Sequence, residues 1–439
     1  LRDLLASAVN MLPGQGDMMQ SVSARRCCEV YQAADENGKL LFLQLLGREF
    51  GTQQREAVAA AEQYANGTNP DVNSKPLLRL EQVLRHTMQP ASYRFFDRVN
   101  RLPGGMRFLV ELRTDLLSFM SQRRDDADLA AVNYALRDKL QGWLIGFLEL
   151  GRITWASPAS LLEKVTEYEA VHEFDGWKDL KQQRSPSVDT LRRLGPGRRC
   201  FGFFHQSLPL EPLVSVQVAL VREISDNVQA ILQDPSPGHA SHDTVKCAIF
   251  YSISTQKGLS GVELGSFLIK RVVGELKVEF PGLHTFCTLS PITRFRHWLQ
   301  QRAEQSDLLL STEAEAIQRA ASKRAAMQLT STAHTAWQDL TENVNWMQDD
   351  TLSEQLRAPL LRLCARYLVL EKRGVFPFDP VANFHLRNGA CIHRINWLAN
   401  TTGKGNEESF GMMVNYNYLQ SHVEDNNQAY LLNGRIAVN

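Results

Sequence analysis

The residues best placed to do chemistry lie in three patches of the second half of the chain. The first is the polar stretch Ser254-Thr255-Gln256-Lys257-Gly258-Leu259-Ser260-Gly261, set between a strand-like run (Val245 to Ile253) and a helical pattern (Val262 to Phe280). Glycines at 258, 261 and 265 let backbone approach a ligand closely. A glycine-bearing loop entering a helix turns free N–H groups and the positive end of the helix dipole outward, a seat for phosphate or pyrophosphate. It matches neither Gly-Lys-Ser/Thr nor a clean G-x-G-x-x-G. The same residues admit a second reading. Ser260-x-x-Glu263 fits a capping box, worth about 1 kcal/mol and requiring no ligand.

The second patch is Ser290, directly after the strand-like run His284 to Leu289 and before Pro291. That position puts a hydroxyl at the carboxyl end of a strand, where ligands bind in open parallel sheets. A G-x-S-x-G elbow is absent, which disfavours a hydrolase-type nucleophile, and Ser-Pro also serves simply to start a turn. The third patch, Asn383-Phe384-His385-Leu386-Arg387-Asn388-Gly389-Ala390, offers a histidine whose free pKa lies near neutrality, fit for a positioned acid or base. A hydrogen-bonded structural histidine is the alternative.

The elements that must position these patches follow from periodicity. Leu136, Leu140, Trp143, Leu144, Phe147 and Leu148 form one helical stripe, with Gly151 as its stop, and Leu109, Leu112, Leu116, Phe119 and Met120 repeat the pattern. Residues 1–152 therefore read as an all-helical packing or oligomerisation domain, and 153–439 as a second domain containing sheet. Val214 to Leu220 and Val245 to Tyr251 alternate as strands, the second apolar on both faces. The loop between them carries His239 and His242, a pair without a third ligand for a metal. Helical spacing returns from Ser311 to Glu371, followed by strand-like runs at Ala390 to Trp397 and Phe410 to Leu419.

A chain of 439 residues exceeds what one core fills. Forty-eight basic residues balance 48 acidic ones, so no general field draws nucleic acid or anionic lipid, and any anion must be held locally. No apolar run reaches the ~18 residues of a membrane helix. Seven cysteines without a C-x-x-C pair fit reduced thiols in a cytosol-like compartment. The sequence begins at Leu1 with no signal-like segment after it, and it ends without a peroxisomal Ser-Lys-Leu address.

Taken in order, the patches resemble the malonyl-CoA decarboxylase family. The matching strings are Gly258 to Val273, Thr288-Leu289-Ser290-Pro291-Ile292, and Asn383 to Ala390 with Arg394-Ile395-Asn396-Trp397. Tyr168-Glu169-Ala170-Val171-His172, Arg198-Arg199-Cys200-Phe201 and Glu211-Pro212-Leu213 extend the likeness over nearly the whole chain. The resemblance implies an α+β fold: an all-helical N-terminal bundle used in oligomer assembly, then a mixed α/β domain similar to the GNAT acetyltransferase fold, with helical insertions. It implies catalytic Ser290 and His385 and a coenzyme A loop at Ser260, Gly261, Val262, Glu263, Leu264, Gly265 and Ser266. His172, Asn383 and Tyr418 are additional positions, Tyr416 competing with Tyr418 for the last. The implied partners are malonyl-CoA and further copies of the chain, with no cofactor or metal beyond the thioester substrate. The implied compartment is a bacterial-type cytoplasm or, alternatively, the mitochondrial matrix.

The implied reaction loses carbon dioxide and leaves a thioester enolate, so the site must hold negative charge on the thioester oxygen and then protonate carbon. The expectation is that Ser290 orients the carboxylate and a protonated His385 supplies the proton, with activation of Ser290 by His385 as the other division of labour. An acyltransferase acting on an amine, or a non-catalytic acyl-CoA sensor, are the rival functions.

Overall fold

The computed structural model describes residues 1–9, 17–67, 75–172, 193–234, 244–265, 268–302, 308–316 and 346–439. The chain divides into two compact units. The first contains Leu1–Leu150 with the segments Phe203–Val214 and Thr255–Gly265; the second contains the remainder.

The first unit is helical: α1 (Arg2–Val9), α2 (Asp17–Ala33), α3 (Glu36–Phe50), α4 (Gln54–Gly67), α5 (Lys75–Met88), α6 (Ser92–Asn100), α7 (Gly105–Gln122) and α8 (Ala127–Leu144). In α7 the expected stripe is the buried one, Leu109, Leu112, Leu116 and Phe119. In α8 the Asp126 carboxylate caps the amides of Asp128 and Leu129. Tyr31, Phe42, Phe95 and Phe96 meet edge-on or tilted in the core. The predicted helix from Leu136 to Leu150 is shorter than its stripe. It ends at Leu144; a single tight turn follows, Leu148 turns extended, and β1 (Glu149–Ile153) begins. Gly151 therefore lies within a strand, because pairing into the sheet overrides helical periodicity at the boundary.

The second unit is built on a sheet in which β1-β2-β3-β4-β5 are neighbours in that order, β10 pairs antiparallel with β5 and with β6, and β9 pairs with β10. Its strands are β2 (Arg198–Phe204), β3 (Val214–Val221), β4 (Cys247–Thr255), β5 (Thr285–Thr288), β6 (Ser290–Pro291), β9 (Cys391–Asn396) and β10 (Met413–Asn417); β7 (Lys372–Arg373) and β8 (Phe376–Pro377) form a separate hairpin. Helices α9 (Ala159–Tyr168), α10 (Val228–Leu232), α11 (Leu268–Glu279), α12 (Phe295–Gln301), α13 (Asp350–Val369), α14 (Pro380–Arg387), α15 (Gly403–Ser409) and α16 (Val423–Asn433) accompany it. The expected strand-helix-strand unit is present: β4 and β5 are parallel, and α11 lies between them in the chain.

Register decides which side chains share a face. Phe250 pairs with Thr288, Cys287 with Asn417, and Ser290 with Val414. β5 and β6 thus keep one register against β10, interrupted only at Leu289. One face of the sheet carries Cys247, Ile249, Tyr251, Cys287, Leu289 and Met413, packed against Val228 and Ile231 of α10. By the two-residue period the opposite face carries Ser252, Ser254, Thr288, Ser290, Val414 and Tyr416. The apolar face builds the core; the hydroxyl-bearing face builds the site.

Candidate active site

Three elements converge on one imidazole. Asp379 precedes Pro380 and accepts the Ala382 amide at 2.8 Å, an N-cap with proline at the first helical turn, and so starts α14. Ala382, His385 and Leu386 then fall on the buried side of that helix. His385 stacks on Tyr416 of β10, with ring centroids 4.7 Å apart and planes 24° from parallel. Its Nδ1 lies 2.8 Å from the Tyr418 hydroxyl, and its Nε2 lies 3.0 Å from Ser290 Oγ. Ser290 in turn donates to Thr288 Oγ1 at 2.9 Å, and that oxygen also accepts the amide of Tyr416. The expected pair, Ser290 and His385, is in direct contact, and both tyrosines of the competing match touch the histidine by different means.

The donors set the tautomer. Because the Ser290 proton goes to Thr288, Ser290 Oγ is the acceptor for Nε2–H, and Nδ1 accepts from the tyrosine. Burial drives the His385 pKa down to about 3, so the resting imidazole is neutral. Burial also raises the Tyr416 and Tyr418 hydroxyls well above their ordinary range. The site is a buried chain of neutral hydrogen bonds. Sequence reasoning missed Thr288, although its two-residue spacing from Ser290 on a strand was a usable signal. It also missed Asp379, whose Asp-Pro pair marks a helix start. Burial lifts the Asp379 carboxyl to about 6, and Tyr367 donates to it.

The glycine loop departs from its expected form. Lys257–Leu259 is a single tight helical turn, 260–265 are turns, and α11 begins at Leu268 rather than Val262. Ser260 therefore does not cap that helix, and the capping box is not formed. Buried Arg113 of α7 holds the loop instead, donating to the carbonyl oxygens of Gly258 at 2.6 Å and Ser260 at 2.8 Å and to Asn133 at 3.0 Å. Only glycine fits at 258, since a β-carbon there would stand 2.1 Å from the Val110 carbonyl oxygen. Gly261 is exposed and adopts a left-handed φ of 76°. Val262 and Leu264 are buried, Glu263 is exposed, and Gly265 is intermediate. Ser266, like His239 and His242, lies outside the described residues.

The remaining expected positions make no side-chain hydrogen bond to Ser290 or His385 among the described residues. Asn383 accepts from Tyr430 at 2.6 Å and ties α14 to α16. His172 is buried, stacks on Tyr251, and has an Nε2 with no partner among the described residues. Burial and then the Arg193 charge hold its pKa down at about 3. Glu169 fixes the turn that carries it, accepting the amides of Val171 and His172, the hydroxyls of Ser252 and Ser254, and the Gln217 amide. Among the described residues no group of three or more His, Cys, Asp or Glu side chains could hold a metal, and no helix is long and apolar enough to cross a membrane.

An α+β chain with a helical N-terminal region and a buried hydroxyl-imidazole pair at the sheet is the class these observations define. The malonyl-CoA decarboxylase C-terminal domain model matches residues 146–439, and the N-terminal domain model matches residues 50–144. The mitochondrial malonyl-CoA decarboxylase of Rattus norvegicus is 41% identical over 364 residues, 81% of this chain and 71% of that protein. Crystal structures of malonyl-CoA decarboxylase from Rhodopseudomonas palustris (TM-score 0.81, 32% identity, 97% of that chain) and Agrobacterium vitis (0.79, 32%, 98%) superpose over 100% of this chain. The chain belongs to the malonyl-CoA decarboxylase family of carboxy-lyases.

Proposed function

We propose that this chain converts malonyl-CoA to acetyl-CoA and carbon dioxide, with Ser290 and His385 as the catalytic residues. The observation that carries the assignment is the buried chain from Tyr418 through His385 to Ser290 and Thr288. A neutral imidazole at rest is the right starting state for a substrate that brings its own negative charge. The malonyl carboxylate, entering a buried site, raises the pKa of His385 and draws one proton onto it from solvent. Nε2–H and Ser290 then orient the carboxylate while Tyr418 accepts from Nδ1–H. The bond between the α-carbon and the carboxylate breaks, its electron pair passes into the thioester as an enolate, and carbon dioxide leaves. With the carboxylate charge gone, the imidazolium gives its proton to the α-carbon, returning His385 to neutrality and balancing the reaction.

The segment from Ser260 to Gly265, continuing to Ser266, is proposed to hold coenzyme A, supported by the exposed left-handed Gly261 and by Arg113 drawing the loop carbonyls inward. His172 is proposed as a further substrate contact on the strength of its buried, unsatisfied Nε2. We propose a homo-oligomer built through the helical region, where Leu41, Val58, Leu78, Val83 and Met88 are exposed; light scattering reads that out. Incubation with malonyl-CoA alone tests the activity. Release of carbon dioxide matched by acetyl-CoA is the expected result, and acyl transfer without carbon dioxide, or binding without turnover, would overturn it.

A further inference from the structure

Residues 1–152 were read only as a packing or oligomerisation domain, yet two arginines of its helices face the 256–265 segment of the same unit. Arg113, 1% exposed, spends its donors on two loop carbonyls and on Asn133. With the Ser260 carbonyl turned inward, the planar peptide directs the Gly261 N–H the opposite way, outward. Gly261 is exposed, and a β-carbon built there would stand 4.0 Å from Cδ of Arg137 on α8. The Arg137 guanidinium is half-buried over the Tyr134 ring, 5.8 Å from its centroid. Neither arginine has a carboxylate within ion-pair distance among the described residues. Their mutual repulsion shows in Arg113, whose pKa burial and then Arg137 lower to about 10. Two arginines that feel each other's charge, an outward amide and no carboxylate beside either arginine among the described residues suit this place to an anion.

We infer that Arg137, beside the Gly261 amide, binds a phosphate group of the coenzyme A nucleotide and is a specificity-determining residue for the full thioester over its pantetheine fragment. This rests on the coenzyme A reading of the loop proposed above. Arg fits the role better than Lys, because its planar fork can bond a phosphate twice while its face stays stacked on Tyr134.

The test compares malonyl-CoA with malonyl-pantetheine, which lacks the phosphates, in the full-length enzyme carrying Arg137→Gln, Arg137→Lys or Gly261→Val. Arg137→Gln should raise KM for malonyl-CoA by about 10- to 100-fold, with a much smaller effect on kcat, and leave KM for malonyl-pantetheine unchanged. Arg137→Lys should fall between it and the parent. An equal rise on both substrates, or no rise on either, overturns the inference. If Arg137→Gln is silent while Gly261→Val raises KM for malonyl-CoA alone, the loop reading stands and only the arginine's part falls. If both are silent, the two fall together.

Discussion

The Tyr418 hydroxyl lies 2.8 Å from Nδ1 of His385, whereas the Tyr416 hydroxyl, two residues earlier on the same face, has no hydrogen-bond partner among the described residues. One tyrosine supplies a proton-bearing contact and the other a stacking surface. Tyr418→Phe should therefore lower kcat by about 10- to 100-fold, the loss of one oriented hydrogen bond to a catalytic group. Tyr416→Phe keeps the stack and removes an unsatisfied buried hydroxyl, so it should leave kcat near the parent value and leave Tm unchanged or raised. Steady-state kinetics and thermal unfolding of the two variants check the contrast, and equal losses of activity would refute it.

Substrate binding should carry a proton with it. At pH 7 His385 is neutral in the free site, and a bound carboxylate favours its charged form. Titration calorimetry in buffers of different ionisation enthalpy, using an unreactive carboxylate analogue of malonyl-CoA, should show uptake approaching one proton. The His385→Gln variant should show none.

Stability should fall with acid in a defined window. His172 and His385 are each depressed from 6.5 to about 3, so the unfolded chain binds protons that the folded one refuses. The stability they contribute is complete above about 6.5 and is lost as pH drops toward 3, at a slope of about 1.4 kcal/mol per pH unit for each histidine. Asp379, raised from 3.8 to about 6, acts with the opposite sign and offsets part of that slope between those values. Urea unfolding measured from pH 7.5 to pH 4.5 checks the sign, and His172→Gln should flatten the curve.

Gly258→Ala should disturb the loop through backbone contact alone. The added carbon meets the Val110 carbonyl oxygen at 2.1 Å and Thr114 Oγ1 at 2.7 Å, and neither the helix backbone nor the Arg113 bonds can yield cheaply. A loss of about 1–3 kcal/mol of stability, with a raised KM for malonyl-CoA, is expected from overpacking of this kind. Thermal unfolding and kinetics of the variant measure both.

What was legible in the sequence was whatever local periodicity controls. The stripe on α7, the alternation of β3 and β4, and the Ser290 and His385 patches stood out because each depends on residues close in the chain. The contact between Ser290 and His385 spans 95 residues, and no local rule delivers it; the family resemblance did, through strings specific enough to be matched as whole motifs. Ser260-x-x-Glu263 misled because a capping box depends on where the helix starts, and tertiary bonds from Arg113 hold 258–260 in a different shape. Arg137, and the hydrogen-bonding role of Glu169, were illegible for a related reason. An ordinary charged residue on a helix or turn becomes part of a site only through what the fold brings beside it.

Delivery of a proton by His385 completes the proposed loss of carbon dioxide. The most direct test is the rate of acetyl-CoA formation from malonyl-CoA by His385→Ala against the parent enzyme, with coenzyme A affinity measured on the same samples. A loss of about 10²- to 10⁴-fold in kcat with affinity little changed is expected if His385 is the proton donor. Acetyl-CoA formed by the variant at the parent rate would contradict it.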